Sequence, residues 1–266
     1  MNYMINCVAF KPPGITFCRE SDVKFLNISQ NTKIATRIIK PNTEIDNKRI
    51  ILFSHGNATD IGCGHSGSLE YSQWLSRNLQ TSVCIWDPPG YGLSSDKPTT
   101  EALLRKSILS VYEHVVAEGY EKVYLLGKSI GSVAAIWLGA QHYCTNIRGV
   151  ILVSPLASGW RVLSAYNYMK MLSPWLDEIF ANNIKYIKCI ECPVLIMHGR
   201  QDQIVPVHNA LDLFQAANSH TCRKPPSLYG SDEFPVGHNN IETDRSIDFL
   251  DEIGSHIEFC ETKKSV

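Results

Sequence analysis

No stretch of the 266 residues is long and apolar enough to span a bilayer. The longest apolar run lies around Gly149–Ala157, far short of the roughly 20 residues that a spanning helix needs. Charge of one sign is missing too: 25 Lys and Arg stand against 26 Asp and Glu, with no basic block. Nucleic acid is therefore not an expected partner, and electrostatics gives no reason for an anionic membrane to be one. The nine cysteines are odd in number and scattered, which excludes a dense disulfide framework. The chain opens with no basic-then-apolar leader and no Met-Gly, and Cys260 is not four residues from the end. The expectation is a reduced, cytoplasmic protein. Internal repeats and low-complexity segments are absent as well.

What is present has the size of one large α/β domain, 1–266. Short alternating segments at Ile15–Arg19, Val23–Ile28 and Lys33–Ile39 read as antiparallel strands over about 15–40. Then fully apolar runs appear at Ile50–Phe53, Val83–Trp86, Val123–Leu126, Val150–Val153 and Val194–Met197. Such runs fit strands of a parallel sheet covered on both faces. Helical patterns lie between them. Thr100 is placed to cap Glu101–Glu118, with Leu104, Ile108, Val111 and Val115 on one stripe and Gly119 as its stop. Ser129–Tyr143 presents Val133, Ile136, Trp137 and Ala140, and a last stripe is formed by Ile247, Leu250, Ile253 and Ile257. This alternation predicts a mostly parallel α/β sheet of the eight-stranded type flanked by helices. The aromatic-rich Trp160–Tyr186 breaks the rhythm; it reads either as packed helices or as a small cap over about 156–190. Residues 261–266 read as a short flexible tail.

Gly127-Lys128-Ser129-Ile130-Gly131 matches G-x-S-x-G. Such a match arises by chance in roughly one chain in ten of this length, so the context carries the weight. An apolar strand candidate precedes it and a helical pattern follows, the setting that holds a serine on a tight turn at a helix N-terminus. The bland alternative is a capping serine. A serine needs a base and the base needs an orienting acid. Asp202 falls just past the strand candidate Pro193–His198, where α/β sheets place their sites. The alternative there is a turn aspartate before the helix that follows Pro206. His238, in Gly237-His238-Asn239, follows the short strand candidate Ser227–Tyr229, in the order serine, acid, histidine. His55-Gly56-Asn57-Ala58 after Ile50–Phe53 suggests an oxyanion donor at the Asn57 N–H, with the Ile130 N–H as its companion. A serine at the elbow disfavours epoxide hydrolase and dehalogenase chemistry, which use a carboxylate there. Cys189 and Cys192 form a single C-x-x-C without a second ligand pair, so no metal and no cofactor are expected.

Taken together these residues resemble the α/β-hydrolase domain-containing protein 17 family. The segment Leu52–Asp60 is similar to its LFSHGNA-x-D, and Gly90–Ser95 to its GYG-x-SS. Gly127–Gly131 is similar to its G-x-SIG, Ser154–Val162 to SPL-x-SG-x-RV, and Gly237-His238-Asn239 to GHN. The resemblance implies the α/β-hydrolase fold, with Ser129, His238 and Asp202 as a triad. It also implies hydrolysis of acyl thioesters on S-acylated proteins. A carboxylesterase or monoacylglycerol-type lipase would use the same chemistry, and a non-catalytic binding module is the reading from another class. Animal members carry an acylated cysteine-rich start. Here peripheral membrane association would rest on Cys7. Lys128 stands where the family commonly has Gln.

Overall fold

Every apolar run named above becomes a strand, because a segment with no polar face is stable only where both faces are covered. The computed structural model describes residues 10–16, 22–42, 48–64, 67–162, 177–222, 224–244 and 246–262. Cys7, Lys263 and Lys264 fall outside them, as does most of the aromatic part of Trp160–Tyr186. The chain forms two compact units, residues 1–125 and 126–266.

In the first unit, β1 (Lys24–Ser29) and β2 (Thr32–Ile39) make a hairpin across Gln30-Asn31, with Leu26 opposite Ile34. β2 runs antiparallel to β4 (Ser82–Trp86), and β4 runs parallel to β3 (Arg49–Ser54). The strand expected at Ile15–Arg19 is not found where it is described. Ile15 is exposed, and Thr16 is held off the sheet by its N–H donating to Asp60 Oδ2 at 2.8 Å. Among the described residues the antiparallel hairpin covers 24–39, and 17–21, the rest of the expected first strand, lie outside them. Helix α1 (Leu69–Leu79) precedes β4. Helix α2 (Glu101–Ala117) begins where expected, with Thr100 Oγ1 accepting from the Leu103 N–H at 3.1 Å. It buries Leu104, Ile108, Val111 and Val115 and ends before Gly119, whose φ of +94° suits a residue without Cβ.

Strand β5 (Lys122–Lys128) carries the chain into the second unit, where β5, β6 (Ile147–Val153), β7 (Val194–Gly199) and β8 (Ser227–Tyr229) follow one another in the sheet. β7 pairs parallel with both β6 and β8. Helix α3 (Ser132–Gly139) is shorter than the expected Ser129–Tyr143 and is buried nearly all round, only Trp137 and Gly139 being partly open. An all-round apolar helix has no single stripe, so the one-sided pattern expected from Val133, Ile136, Trp137 and Ala140 does not describe it. Helices α4 (Asn183–Ile187), α5 (His208–Ala216), α6 (Ile241–Asp244) and α7 (Ser246–Thr262) complete the unit. In α7 the buried face is Phe249, Ile253, Ile257 and Cys260, so Phe249 takes the place expected for Leu250, which is only half-buried. The helix continues through Glu261 and Thr262, which were expected to belong to a tail. Among the described residues, no helix is long and apolar enough to cross a membrane.

One part-buried ion cluster ties together parts of the second unit that are distant in sequence. Arg161 Nη2 donates to Asp177 Oδ2 at 2.7 Å and its Nη1 to Asp212 Oδ2 on α5 at 2.5 Å. The Ser158 hydroxyl also donates to Asp177. Burial opposes the charge on Arg161, but the two carboxylates outweigh it and raise its pKa. Removing the guanidinium would strand the buried Asp177 carboxylate and leave the half-buried Asp212 without its cation. Arg161→Met is therefore expected to lose roughly 3 kcal/mol, seen as a melting midpoint lower by about 6–10 °C. Thermal unfolding measures it, and a shift under about 2 °C would show the cluster to be energetically idle.

Candidate active site

The turn after β5 is built around close approach. A Cβ on Gly127 would come within 2.7 Å of Ser132 Cα and 2.8 Å of Ala135 Cβ, so only glycine lets the strand meet helix α3 here. The next turn, Ser129–Gly131, is 3-10 and leads directly into α3. Ser129 sits in it with φ +53°, the left-handed region that costs a non-glycine residue of order 1 kcal/mol. Ser129 is buried apart from 7% of its surface. Ile130 follows it in the same turn, and Gly131 has ordinary helical backbone.

Two loops meet Ser129. The loop after β7 carries Asp202 and the loop after β8 carries His238. Gln201 holds the two loops together: its N–H donates to Val236 O, its Oε1 accepts from the Val236 N–H, and its Nε2 donates to Ser231 O, all at 3.0 Å. Any side chain at Gly199 would run into the carbonyls of Val236 and Gly237, so glycine also sets how near the loops come. Asn240 Oδ1 accepts from the Gly237 N–H at 2.7 Å and shapes the turn before His238. On the other side Lys128 Nζ lies 2.6 Å from Glu242 Oε1 of α6, an ion pair by proximity rather than an aligned hydrogen bond. It links the residue before Ser129 to the helix after His238.

The result is a continuous relay. His238 Nε2 lies 3.0 Å from Ser129 Oγ, and His238 Nδ1 lies 2.7 Å from Asp202 Oδ2. A carboxylate only accepts, so Nδ1 carries the proton and Nε2 is left to accept from the serine hydroxyl. Asp202 Oδ1 accepts from the N–H groups of Ile204 at 2.9 Å and Val205 at 2.8 Å. Burial works against ionisation of Asp202, but donors from His198 and His238 outweigh it and hold its carboxyl well below the usual carboxylate range. Ser129, His238 and Asp202, proposed from sequence as one group, are thus brought together. In neutral form this arrangement can move a proton from Oγ to Nε2 while Asp202 steadies the charge that develops on the ring.

Asn57 belongs to the first unit and lies in the turn after β3. Its Oδ1 accepts from the Lys11 N–H at 2.8 Å and from Tyr91 Oη at 2.7 Å. The adjoining His55 is buried, with Nδ1 2.8 Å from Gly56 O and Nε2 3.0 Å from Asp87 Oδ1. Burial disfavours a charge on His55, but the Asp87 carboxylate outweighs it and raises its pKa. Asp87 also accepts from the Ile61 N–H at 3.3 Å, so it braces this loop as well as its own. The expectation that the Asn57 N–H serves an oxyanion rests on the sequence pattern. Reading the sequence missed the Gln201 clasp, the Lys128–Glu242 pair and the place of His198 beside Asp202. None leaves a sequence signal, because each depends on which loops meet in space. Neither Cys189 nor Cys192 belongs to a metal-ligating cluster among the described residues.

Comparison with known proteins adds the lineage. The profile of the family described as serine aminopeptidase, S33, matches residues 45–186. The chain is 31% identical to human α/β hydrolase domain-containing protein 17B over 80% of its own length and 68% of that protein's. It is 28% identical to the α/β hydrolase domain-containing protein aho-3 of Caenorhabditis elegans, over 83% of its own length but only 61% of that relative's. Among solved structures, an esterase of Pyrococcus furiosus superposes with a TM-score of 0.68 at 16% identity, covering 94% of this chain and 98% of that one. A proline iminopeptidase of Mycobacterium smegmatis gives 0.62 at 11% identity, covering 90% and 99%. At such identities the two structures speak for the fold alone.

Proposed function

This chain belongs to the α/β-hydrolase family, in its domain-containing protein 17 group, and from that premise we propose that it is a serine hydrolase cleaving acyl thioesters and esters. The observation that carries the reading is the relay Asp202–His238–Ser129, with the hydroxyl held on a left-handed turn at the head of a buried helix. Ser129 Oγ attacks the acyl carbonyl as His238 Nε2 takes its proton. The Ile130 N–H, next after the nucleophile at a helix N-terminus, is the proposed donor to the oxyanion. Collapse of the tetrahedral intermediate expels the thiolate or alkoxide, which His238 protonates. Water activated by the same ring then attacks the acyl-enzyme and frees the acid. The proposed substrate is an S-acylated protein or a small acyl ester. The resemblance in the elbow, SPL-x-SG-x-RV and GHN segments favours the thioester.

A fluorophosphonate probe followed by peptide mapping is expected to place the adduct on Ser129. Labelling that persists in Ser129→Ala would overturn the assignment of the nucleophile. A panel of thioesters and oxygen esters of increasing acyl length then separates the substrate classes. Turnover confined to oxygen esters would replace the thioesterase reading with a carboxylesterase or monoacylglycerol-type lipase. A probe-silent protein with no turnover on the panel would point to a binding module.

A further inference from the structure

Asp202 Oδ2 has a second imidazole beside it. His198, on β7, is completely buried, and its Nε2 lies 2.8 Å from Val205 O and 3.3 Å from Asp202 Oδ2. A carbonyl oxygen cannot donate, so the proton of this ring sits on Nε2, bonded to the Val205 carbonyl with the Asp202 carboxylate 3.3 Å away. His198 Nδ1 is buried and finds no hydrogen-bond partner, so this tautomer is fixed by the surroundings. A buried ring with one nitrogen unsatisfied carries a desolvation cost that an apolar side chain would avoid. Its geometry toward Asp202 supplies a reason for a histidine here.

We propose that His198 is a positioning residue for the acid of the relay, donating through Nε2–H to the same carboxylate oxygen that orients His238. This rests on the reading of Ser129, His238 and Asp202 as a catalytic group. The carboxylate then has four donors: the two amides of Ile204 and Val205 on Oδ1, and the two imidazoles on Oδ2. His198 and His238 are the titratable side chains that contribute to its environment. Four donors fix the rotation of the carboxyl group. They also spread its charge, so that Oδ2 orients His238 without drawing the Nδ1 proton across. Removing one donor should have two separable effects. The carboxylate turns more freely, and its undiluted charge holds a proton on the His238 ring more tightly.

The test compares His198→Leu, which deletes the donor, with His198→Gln, whose Nε2 amide can restore it. In His198→Leu, kcat is expected to fall about tenfold with KM nearly unchanged, as for other partners that orient a ligand from behind. The acid limb of the kcat/KM profile is expected to move to higher pH, by up to about one unit. His198→Gln should recover most of kcat and return the limb to its original place. If the leucine variant does not fold, His198→Asn, too short to reach Asp202, carries the same expectation. A purely structural histidine predicts that both replacements lose activity in proportion to their loss of stability, with the pH profile unmoved, and that result overturns the proposal. So does wild-type turnover and profile in His198→Leu. Neither result touches the triad reading, which stands or falls separately on whether the Ser129→Ala protein is inert to the probe.

Discussion

Ser129→Ala is expected to lower turnover of an acyl ester or thioester by about 10⁴-fold or more, with the fold intact. The magnitude follows from what the hydroxyl does in the proposed chemistry. Without Oγ no acyl-enzyme can form, and hydrolysis must proceed by direct attack of water in a site still able to bind substrate and stabilise an anion. Elsewhere that residual catalysis is about 10³–10⁴ over water, well below the intact enzyme. The fold should survive because alanine keeps the Cβ that the left-handed turn already accommodates. Steady-state kinetics paired with thermal unfolding separates the two effects. Turnover within tenfold of the parent would remove Ser129 from the chemistry.

A comparable loss, about 10⁴-fold in kcat, is expected from Asp202→Asn. Here no atom that touches substrate changes. His238 Nδ1 now donates to Asp202 Oδ2 at 2.7 Å, which leaves Nε2 unprotonated and facing Ser129 Oγ at 3.0 Å. An amide can turn its NH₂ toward Nδ1, shift the ring proton to Nε2 and leave the serine facing a donor instead of a base. The ring would still be in place and in the wrong form. Kinetics at neutral pH measures this, and a loss under tenfold would contradict the relay. The same substitution carries a pH signature in stability. Because the Asp202 carboxyl is held below its unfolded value, ionisation favours the folded state above about pH 4. That contribution disappears as the pH falls through the depressed folded value. The stability gap between the parent and Asp202→Asn should therefore narrow on acidification below about pH 4.

The parts of this molecule that could be read in its sequence are those whose physics is local. A fully apolar run such as Val150–Val153 allows little besides a covered strand, and Thr100 ahead of a periodic segment fixes where α2 starts. Helix α1 was not legible because its buried face is largely serine: Ser72 and Ser76 are fully buried beside Leu75, and Ser72 Oγ donates to Ser68 O at 2.8 Å. A small hydroxyl residue that bonds back to the helix, as Ser72 does, packs as well as alanine yet counts as polar in any periodicity. The order Ser129, Asp202, His238 was legible because each follows a recognisable strand candidate. The supports of those residues were not. Gln201 and Val236 are 35 residues apart, and Arg161 and Asp212 are 51 apart. Their pairing is decided by how loops and helices pack after the strands are in place. His198 was legible only as the end of a strand candidate; nothing in its neighbours tells that its Nε2 faces the carboxyl four residues on.

The backbone at residue 129 has one more implication. A torsion of +53° suits glycine better than serine, so the hydroxyl proposed as nucleophile is kept against the preference of the chain that holds it. Ser129→Gly should give an inert protein that is firmer than the parent. A descendant released from selection for hydrolysis would gain from glycine at this position, keeping its architecture while shedding the proposed chemistry.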